Sequence, residues 1–185
     1  MSDWAQTIAD SLKESEISLI TGVTDSSLSI LINLLREDSY FSVIPASREE
    51  EAIGIAVGSY VSGTKSAVYM QSSGVGNSVN ALASLCIPAR IPIPMIINLR
   101  GDIGEFNIAQ VLMGKVTPQI FDNLNIPTYI LDSDVSLEDK VTGALKLCYA
   151  SHQPLAIGLT PLLHGGKSSK SVSYTHLTLP TKRIV

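Results

Sequence analysis

The chain has 185 residues, of which 45% are hydrophobic and 16% charged, so it is long enough for one α/β domain and short for two. A net charge of -4 without a basic cluster argues against a nucleic-acid binder. No apolar run approaches the roughly 20 residues of a membrane span, and the acidic N-terminus lacks the features of a signal peptide, so we expect a cytoplasmic protein whose surplus apolar surface meets a partner.

Short apolar runs alternate with helical patterns, which is typical of a three-layer α/β/α fold with a mainly parallel six-stranded sheet. The predicted strands are residues 18–22, 41–45, 66–70, 93–98, 128–132 and 155–159. The predicted helices are residues 3–15, 26–36, 48–62, 77–87, 117–124 and 135–150. The strands are almost entirely apolar because helices cover both faces of such a sheet.

The end of the chain has a different composition. From Gly165 onward it is rich in Ser, Lys and Thr without periodicity, and residues 172–185 resemble translated sequencing-adapter sequence. We therefore predict one domain at residues 1–165, followed at residues 166–185 by a linker and a non-native tail.

Cysteine and histidine give no metal-binding pattern. Cys86 and Cys148 each stand alone in apolar surroundings, which predicts buried, reduced thiols. His152, His164 and His176 are predicted to be surface residues, and no metal site is predicted in this chain.

Three consecutive glutamates begin the helix predicted at residues 48–62. Ser47 and Glu50 have the spacing of a capping box, which gives Glu50 a structural role. Glu49 instead shares a helix face with Ile53 and Ala56, so its carboxylate heads the stripe that faces inward. An exposed first-turn acid that favours the helix dipole remains the alternative for Glu49. The same helix carries Gly54 and Gly58, a glycine seam against which a second backbone, such as that of another subunit, can pack.

Two further stretches place polar or glycine residues after predicted strands. The first, "MQSSGVGNSVNALASL" at residues 70–85, predicts a strand, a turn bracketed by Gly74 and Gly76, and a helix. The second, "NLRGDIGEFNIAQVLMGK" at residues 98–115, predicts a polar loop. Ligands bind open α/β sheets at the carboxyl ends of strands, although a plain strand-end turn and a solvated loop are the alternatives.

Together these stretches resemble the pyrimidine-binding domain of thiamine diphosphate enzymes, over roughly residues 1–165. The likeness rests on "GVTDSSL", "REEEAIGIAVGSYVSG", "MQSSGVGNSVNALASL" and "RGDIGEFNIAQVLMGKVTP" in this order and spacing. Within that family it is similar to sulfopyruvate decarboxylase alpha subunits and to the matching half of phosphonopyruvate decarboxylases. One departure is Thr24, where related chains have proline before the aspartate.

The resemblance implies a decarboxylase of 2-oxo acids and assigns roles to individual residues. Glu49 is implied as the catalytic glutamate that hydrogen-bonds the cofactor's aminopyrimidine ring, with Asp25 as a second catalytic, proton-handling group. The implied cofactor-binding residues are Glu49, Gly74, Val75, Gly76 and Asn77. Arg100, Gln110 and Lys115 are the candidates for binding a substrate that carries a second anionic group, sulfonate or phosphonate.

The implied cofactors are thiamine diphosphate and Mg²⁺, and the chain alone does not complete their site. The family binds Mg²⁺ and the diphosphate through a Gly-Asp-Gly motif in a second domain, and this motif is not found in the chain. A diphosphate-binding beta subunit or C-terminal domain is therefore the expected partner, in an oligomer. Two alternatives are another thiamine diphosphate reaction, such as an acetohydroxyacid-synthase-like carboligation, and a non-catalytic binding or regulatory subunit.

Overall fold

The computed structural model describes residues 4–103, 105 and 107–165. Six strands form one sheet in these residues, in the order β2-β1-β3-β4-β6-β5, and every neighbouring pair is parallel. The strands are β1 Leu19–Gly22, β2 Ser42–Pro45, β3 Ser66–Gln71, β4 Pro94–Asn98, β5 Thr128–Leu131 and β6 Leu155–Leu159. The six predicted strands are therefore confirmed, with small shifts at their ends.

Helices cover both faces of the sheet, which confirms the three-layer architecture. They are α1 Trp4–Glu14, α2 Ser29–Glu37, α3 Glu49–Val61, α4 Ser72–Ala81, α5 Ile108–Asn123, α6 Leu137–Ser151 and α7 Pro161–His164. A π-helical segment, Leu82–Cys86, continues α4. Helix α1 packs between α2 and α6 on one face, and α4 packs between α3 and α5 on the other.

The central strands are apolar because successive side chains enter two different cores. In β3, Ala67 and Tyr69 belong to the core beneath α1, α2 and α6, whereas Val68 and Met70 belong to the core beneath α3, α4 and α5. Every residue of β4 and β6 is buried. This two-sided burial is the reason that the strands could be recognised as continuous apolar runs.

The glycine-bracketed turn expected at residues 70–76 is wrong. Helix α4 begins at Ser72, directly after β3, and contains both Gly74 and Gly76. Glycine is a poor helix former in isolation, so the sequence favoured a turn. Tertiary packing decides otherwise, because the Ser72 hydroxyl donates to the Asn98 carbonyl at 3.1 Å and accepts the Arg100 N–H at 3.0 Å.

The long polar loop after β4 is also shorter than expected. Helix α5 begins at Ile108 rather than at residue 117, and the Asn107 side chain caps it by accepting the Ala109 N–H at 3.1 Å. Pro118 lies inside this helix, where it removes one backbone hydrogen bond, and for that reason the sequence indicated a boundary near it. Burial of Thr117 and Phe121 on either side holds the helix together across the proline.

The other expectations about the whole chain have mixed outcomes. Among the residues described, no helix combines the length and apolar character that crossing a bilayer requires. Cys86 and Cys148 are confirmed as buried free thiols, and burial raises the pKa of Cys86 to about 11 and that of Cys148 to about 12. The predicted tail at residues 166–185 lies outside the described residues, so the domain boundary stays a prediction.

Candidate active site

Several of the residues singled out from the sequence lie at the carboxyl edge of the parallel sheet. Asp25 follows β1, Glu49 follows β2, and helix α4 follows β3. Arg100 follows β4, and helix α7 follows β6. Parallel strands end on the same side, so segments far apart in sequence become neighbours there.

Glu49 is the first residue of α3, and only 8% of its surface is exposed. Its Oε2 atom accepts a hydrogen bond from Asn77 Nδ2 of α4 at 2.8 Å. A side chain at Gly74 would meet Glu49, because a Cβ there would lie 2.5 Å from both Cγ and Oε1 of the glutamate. The inward orientation predicted for Glu49 is thus confirmed, and the absence of a side chain at Gly74 provides the space for it.

The other two glutamates have structural partners, and the predicted capping box is wrong because Glu51, not Glu50, accepts a hydrogen bond from Ser47. Helix α3 begins after Arg48, one residue later than the pattern implied. Glu51 therefore occupies the third helical position and accepts the Ser47 N–H at 2.7 Å. Glu50 forms an ion pair with Arg48 on the surface.

A chain of buried polar groups links Asp25 to His164. Asp25 Oδ1 accepts the Ser27 N–H at 2.6 Å, and Oδ2 accepts from Asn98 Nδ2 at 2.9 Å. The other end of the same amide, Asn98 Oδ1, lies 3.1 Å from His164 Nε2. Asn98 is fully buried, and Asp25 and His164 are 5% and 9% exposed.

The prediction that His164 is a surface residue is therefore wrong. Helix α7 turns the chain back after β6 and places the imidazole against Trp4 of α1, with ring centroids 6.0 Å apart. His152 is exposed as predicted, with Nδ1 3.2 Å from the Tyr60 hydroxyl. His176 lies outside the described residues.

Arg100 is buried, and its charge is already paired. Its Nε and Nη2 atoms donate to the two carboxylate oxygens of Glu105 at 2.6 and 2.9 Å, in a pair whose side chains are 7% and 4% exposed. Hydrogen bonds from Arg100 lower the pKa of Glu105 to about 2. The stabilisation from this pair is therefore complete above the ordinary carboxyl pKa of about 4.3 and is lost as the pH falls towards 2.

The remaining candidates are more scattered. Val75 is a core residue of α4, and Gly76 is exposed, with the Met113 methyl 3.2 Å from where a Cβ would lie. Lys115 is exposed on α5. Gln110 is half-buried, and its buried Oε1 atom has no hydrogen-bond partner in the part of the chain that the structure describes.

Sequence reasoning missed Asn98 and His164 as members of the site, and it counted Glu105 among the polar residues after β4 without giving it a role of its own. Asn98 is the last residue of β4, and Glu105 belongs to the polar stretch after it, so both lie within residues 98–115, which the sequence indicates as a polar loop. The available signal for His164 was its position five residues beyond the last apolar strand. In the described segments, no cluster of three His, Cys, Asp or Glu residues has the arrangement to hold a metal ion.

An α/β domain with polar groups at the carboxyl edge of a parallel sheet has the arrangement in which such folds bind ligands. Comparison with known proteins identifies the family to which this domain belongs. A family model described as thiamine pyrophosphate enzyme, N-terminal TPP binding domain, matches residues 2–101. The chain therefore belongs to the thiamine pyrophosphate enzymes, and the resemblance found in the sequence is confirmed.

Within this family, the chain is similar to several decarboxylases. The chain is 46% identical over 150 residues to sulfopyruvate decarboxylase subunit alpha of Methanocaldococcus jannaschii, covering 81% of this chain and 89% of that subunit. The corresponding subunit of Methanococcus maripaludis is 34% identical over 158 residues, covering 85% of this chain and 95% of that one. Phosphonopyruvate decarboxylase of Streptomyces viridochromogenes is 32% identical over 145 residues, covering 77% of this chain but only 36% of that enzyme.

A solved structure agrees on the fold. The 2-oxoglutarate:ferredoxin oxidoreductase from Magnetococcus marinus, with 2-oxoglutarate, coenzyme A and succinyl-CoA bound, has a TM-score of 0.67 over 87% of this chain and 29% of its own. At 9% sequence identity this likeness concerns the fold alone.

Proposed function

We propose that this chain is the alpha-type subunit of a decarboxylase that acts on a 2-oxo acid with a second anionic group, sulfopyruvate or phosphonopyruvate. The observation that carries the proposal is Glu49, a buried carboxylate at the head of α3 with one oxygen held by Asn77. Similarity to sulfopyruvate decarboxylase alpha subunits over most of both chains supports the reaction class.

The surroundings of Glu49 fit an aminopyrimidine ring. Asn77 fixes Oε2, whereas Oε1 has no hydrogen bond to any residue that the structure describes, so it is the atom available to share a proton with a ring nitrogen. Bound thiamine diphosphate supplies the carbanion centre and the electron sink for decarboxylation. The chain's own contribution is to orient Glu49 against Gly74 and to exclude water from it.

Further residues have proposed roles around this carboxylate. Gly74, Val75, Gly76 and Asn77 form the helical segment that would border the cofactor. Asp25 is proposed to handle a proton near the reacting carbonyl, because its carboxylate is fixed at the same sheet edge. Gln110 is proposed as an orienting group, since its buried Oε1 atom has unused hydrogen-bonding capacity.

The site is proposed to be completed by a partner. A diphosphate-binding beta subunit, or a C-terminal domain, would hold Mg²⁺ and the diphosphate, in keeping with the alpha-subunit names of the relatives. The glycine seam of α3 is the proposed contact. Gly54 and Gly58 are exposed, and a Cβ at either position would meet no atom within 4 Å.

Filling this seam should weaken assembly without unfolding the chain. Gly54→Leu is expected to reduce association with the partner by at least tenfold, because a close backbone approach is blocked, while thermal stability is kept. Gly143→Leu is the matched control, since Gly143 is equally open but lies on α6 at the other face of the sheet. Sedimentation velocity measures both, and equal association of the two variants would exclude the seam as the contact.

Arg100 is proposed to bind the second anionic group of the substrate, with exposed Lys115 as a second candidate. Because Glu105 neutralises Arg100, removing the carboxylate should strengthen the attraction. We expect Glu105→Gln to lower the KM for sulfopyruvate relative to the KM for pyruvate. The double variant Arg100→Gln/Glu105→Gln is expected to raise the KM for sulfopyruvate relative to that for pyruvate by about tenfold or more. The double variant avoids leaving one buried charge alone. Parallel changes for both substrates would show that Arg100 does not bind the second anion.

The proposed function is tested by reconstitution. The chain is combined with a diphosphate-binding subunit, thiamine diphosphate and Mg²⁺, and carbon dioxide release from sulfopyruvate, phosphonopyruvate and pyruvate is measured. Preference for a substrate with a second anion supports the proposal. Carboligation without such a preference, or no turnover of any 2-oxo acid, would refute it.

A further inference from the structure

The hydrogen bonds between His164, Asn98 and Asp25 have only one consistent polarity. An ionised Asp25 orients the Asn98 amide with Nδ2 toward the carboxylate, so Oδ1 faces His164 Nε2 at 3.1 Å and that nitrogen is assigned the proton. The opposite end of the amide then donates from Nδ2 to Asp25 Oδ2 at 2.9 Å. Reversing the amide would bring its oxygen against the Asp25 carboxylate, which is unfavourable.

The imidazole is kept neutral by its surroundings. Burial lowers the pKa of His164, the Asp25 carboxylate and a backbone hydrogen bond of the imidazole raise it, and Arg100 lowers it, with burial as the largest of these effects. Trp4 packs against the ring from α1 and contributes no charge. At neutral pH, His164 is thus an Nε2–H donor that aligns the amide beside it.

We propose that His164 and Asn98 are positioning residues that lock the Asp25 carboxylate toward the site, so that His164 influences the reaction only through Asp25. This inference rests on the proposed function, in which Asp25 handles a proton. Without the imidazole donor, the side-chain amide of Asn98 is held by Asp25 alone, and the Ser27 N–H is then the partner of Asp25 that is fixed independently of that amide.

A double-mutant cycle in the reconstituted complex tests this dependence. His164→Leu is expected to lower kcat about tenfold with little change in KM, because a donor is lost but the volume is kept. In an Asp25→Asn background the same substitution should lower kcat by less than about twofold. Equal losses in both backgrounds would overturn the inference.

A conservative substitution of His164 and a substitution of a distant histidine distinguish an effect on positioning from an effect on folding. His164→Gln keeps a side-chain N–H near the imidazole position and is expected to retain at least about half of the wild-type kcat. His152→Leu, at an exposed histidine, should leave kcat unchanged. If His164→Gln and His164→Leu lose equal activity, or if the loss follows the folded fraction in thermal unfolding, the role is structural and the inference is wrong.

A measurement on the full chain without turnover distinguishes this inference from the proposed function. Nitrogen-15 NMR of the imidazole should show the Nε2–H tautomer for His164, and Asp25→Asn should lower the pKa of His164 further, since a negative charge is removed. An Nδ1–H tautomer or an unchanged titration would refute the linkage. A confirmed linkage in a complex that decarboxylates no 2-oxo acid would refute the proposed function alone.

Discussion

Glu49→Gln is expected to abolish turnover by the reconstituted enzyme, lowering kcat by at least about a thousandfold. The amide nearly matches the carboxylate in shape and can still contact Asn77, but it cannot share a proton with a ring nitrogen through Oε1. General acid–base contributions alone are typically worth about 10²–10⁴ in rate. The assays are carbon dioxide release and hydrogen–deuterium exchange at the reactive carbon of the cofactor.

The neighbouring glutamates provide matched controls for this substitution. Glu50→Gln removes only a surface ion pair with Arg48, and Glu51→Gln keeps a side-chain oxygen that can accept the Ser47 N–H. Both variants should turn over at the wild-type rate, with small changes in thermal midpoint. Wild-type exchange and turnover in Glu49→Gln would show that the buried glutamate is not the activating group.

Gly114→Ala should destabilise the chain by about 3 kcal/mol or more, the largest stability effect expected of a single methyl group here. A Cβ at Gly114 would overlap the Arg100 carbonyl, and it would also lie 3.1 Å from Gly101 Cα. These atoms belong to backbone, so they cannot move aside as the end of a flexible side chain would. Helix α5 would have to shift away from the loop after β4. Urea denaturation of the isolated chain measures the free energy of unfolding.

Gly143→Ala is the control for helix propensity. Gly143 lies inside α6, and a Cβ there would meet nothing within 4 Å. Alanine should therefore stabilise this helix by about 0.5–1 kcal/mol. Similar stability changes for the two variants would contradict the close approach of α5 to Arg100.

Much of the fold could be predicted because the burial of a strand or helix face produces a pattern of apolar residues in the local sequence. Strands β4 and β6 lie between two helical layers, so each is apolar throughout its length. Glu49 could be predicted to face inward because its helix spacing to Ile53 and Ala56 is a local property. The starts of α4 and α5 could not be predicted, because Gly74 and Gly76 locally disfavour helix and Pro118 locally indicates a helix boundary, and only tertiary packing outweighs these signals.

The sequence by itself determined the order of the six strands and of helices α1 to α6 along the chain, the family, and the glutamate at the head of α3, because these depend on local periodicity and motif spacing. Only the tertiary structure decided which polar groups meet. Parallel pairing of β4 with β6 sets Asn98 beside Leu159, and the turn into α7 then brings His164 to Asn98 across 66 residues. Asp25 reaches the same amide across 73 residues. No local pattern records such contacts, since the free energy that favours burying these polar groups comes from partners that folding alone brings together.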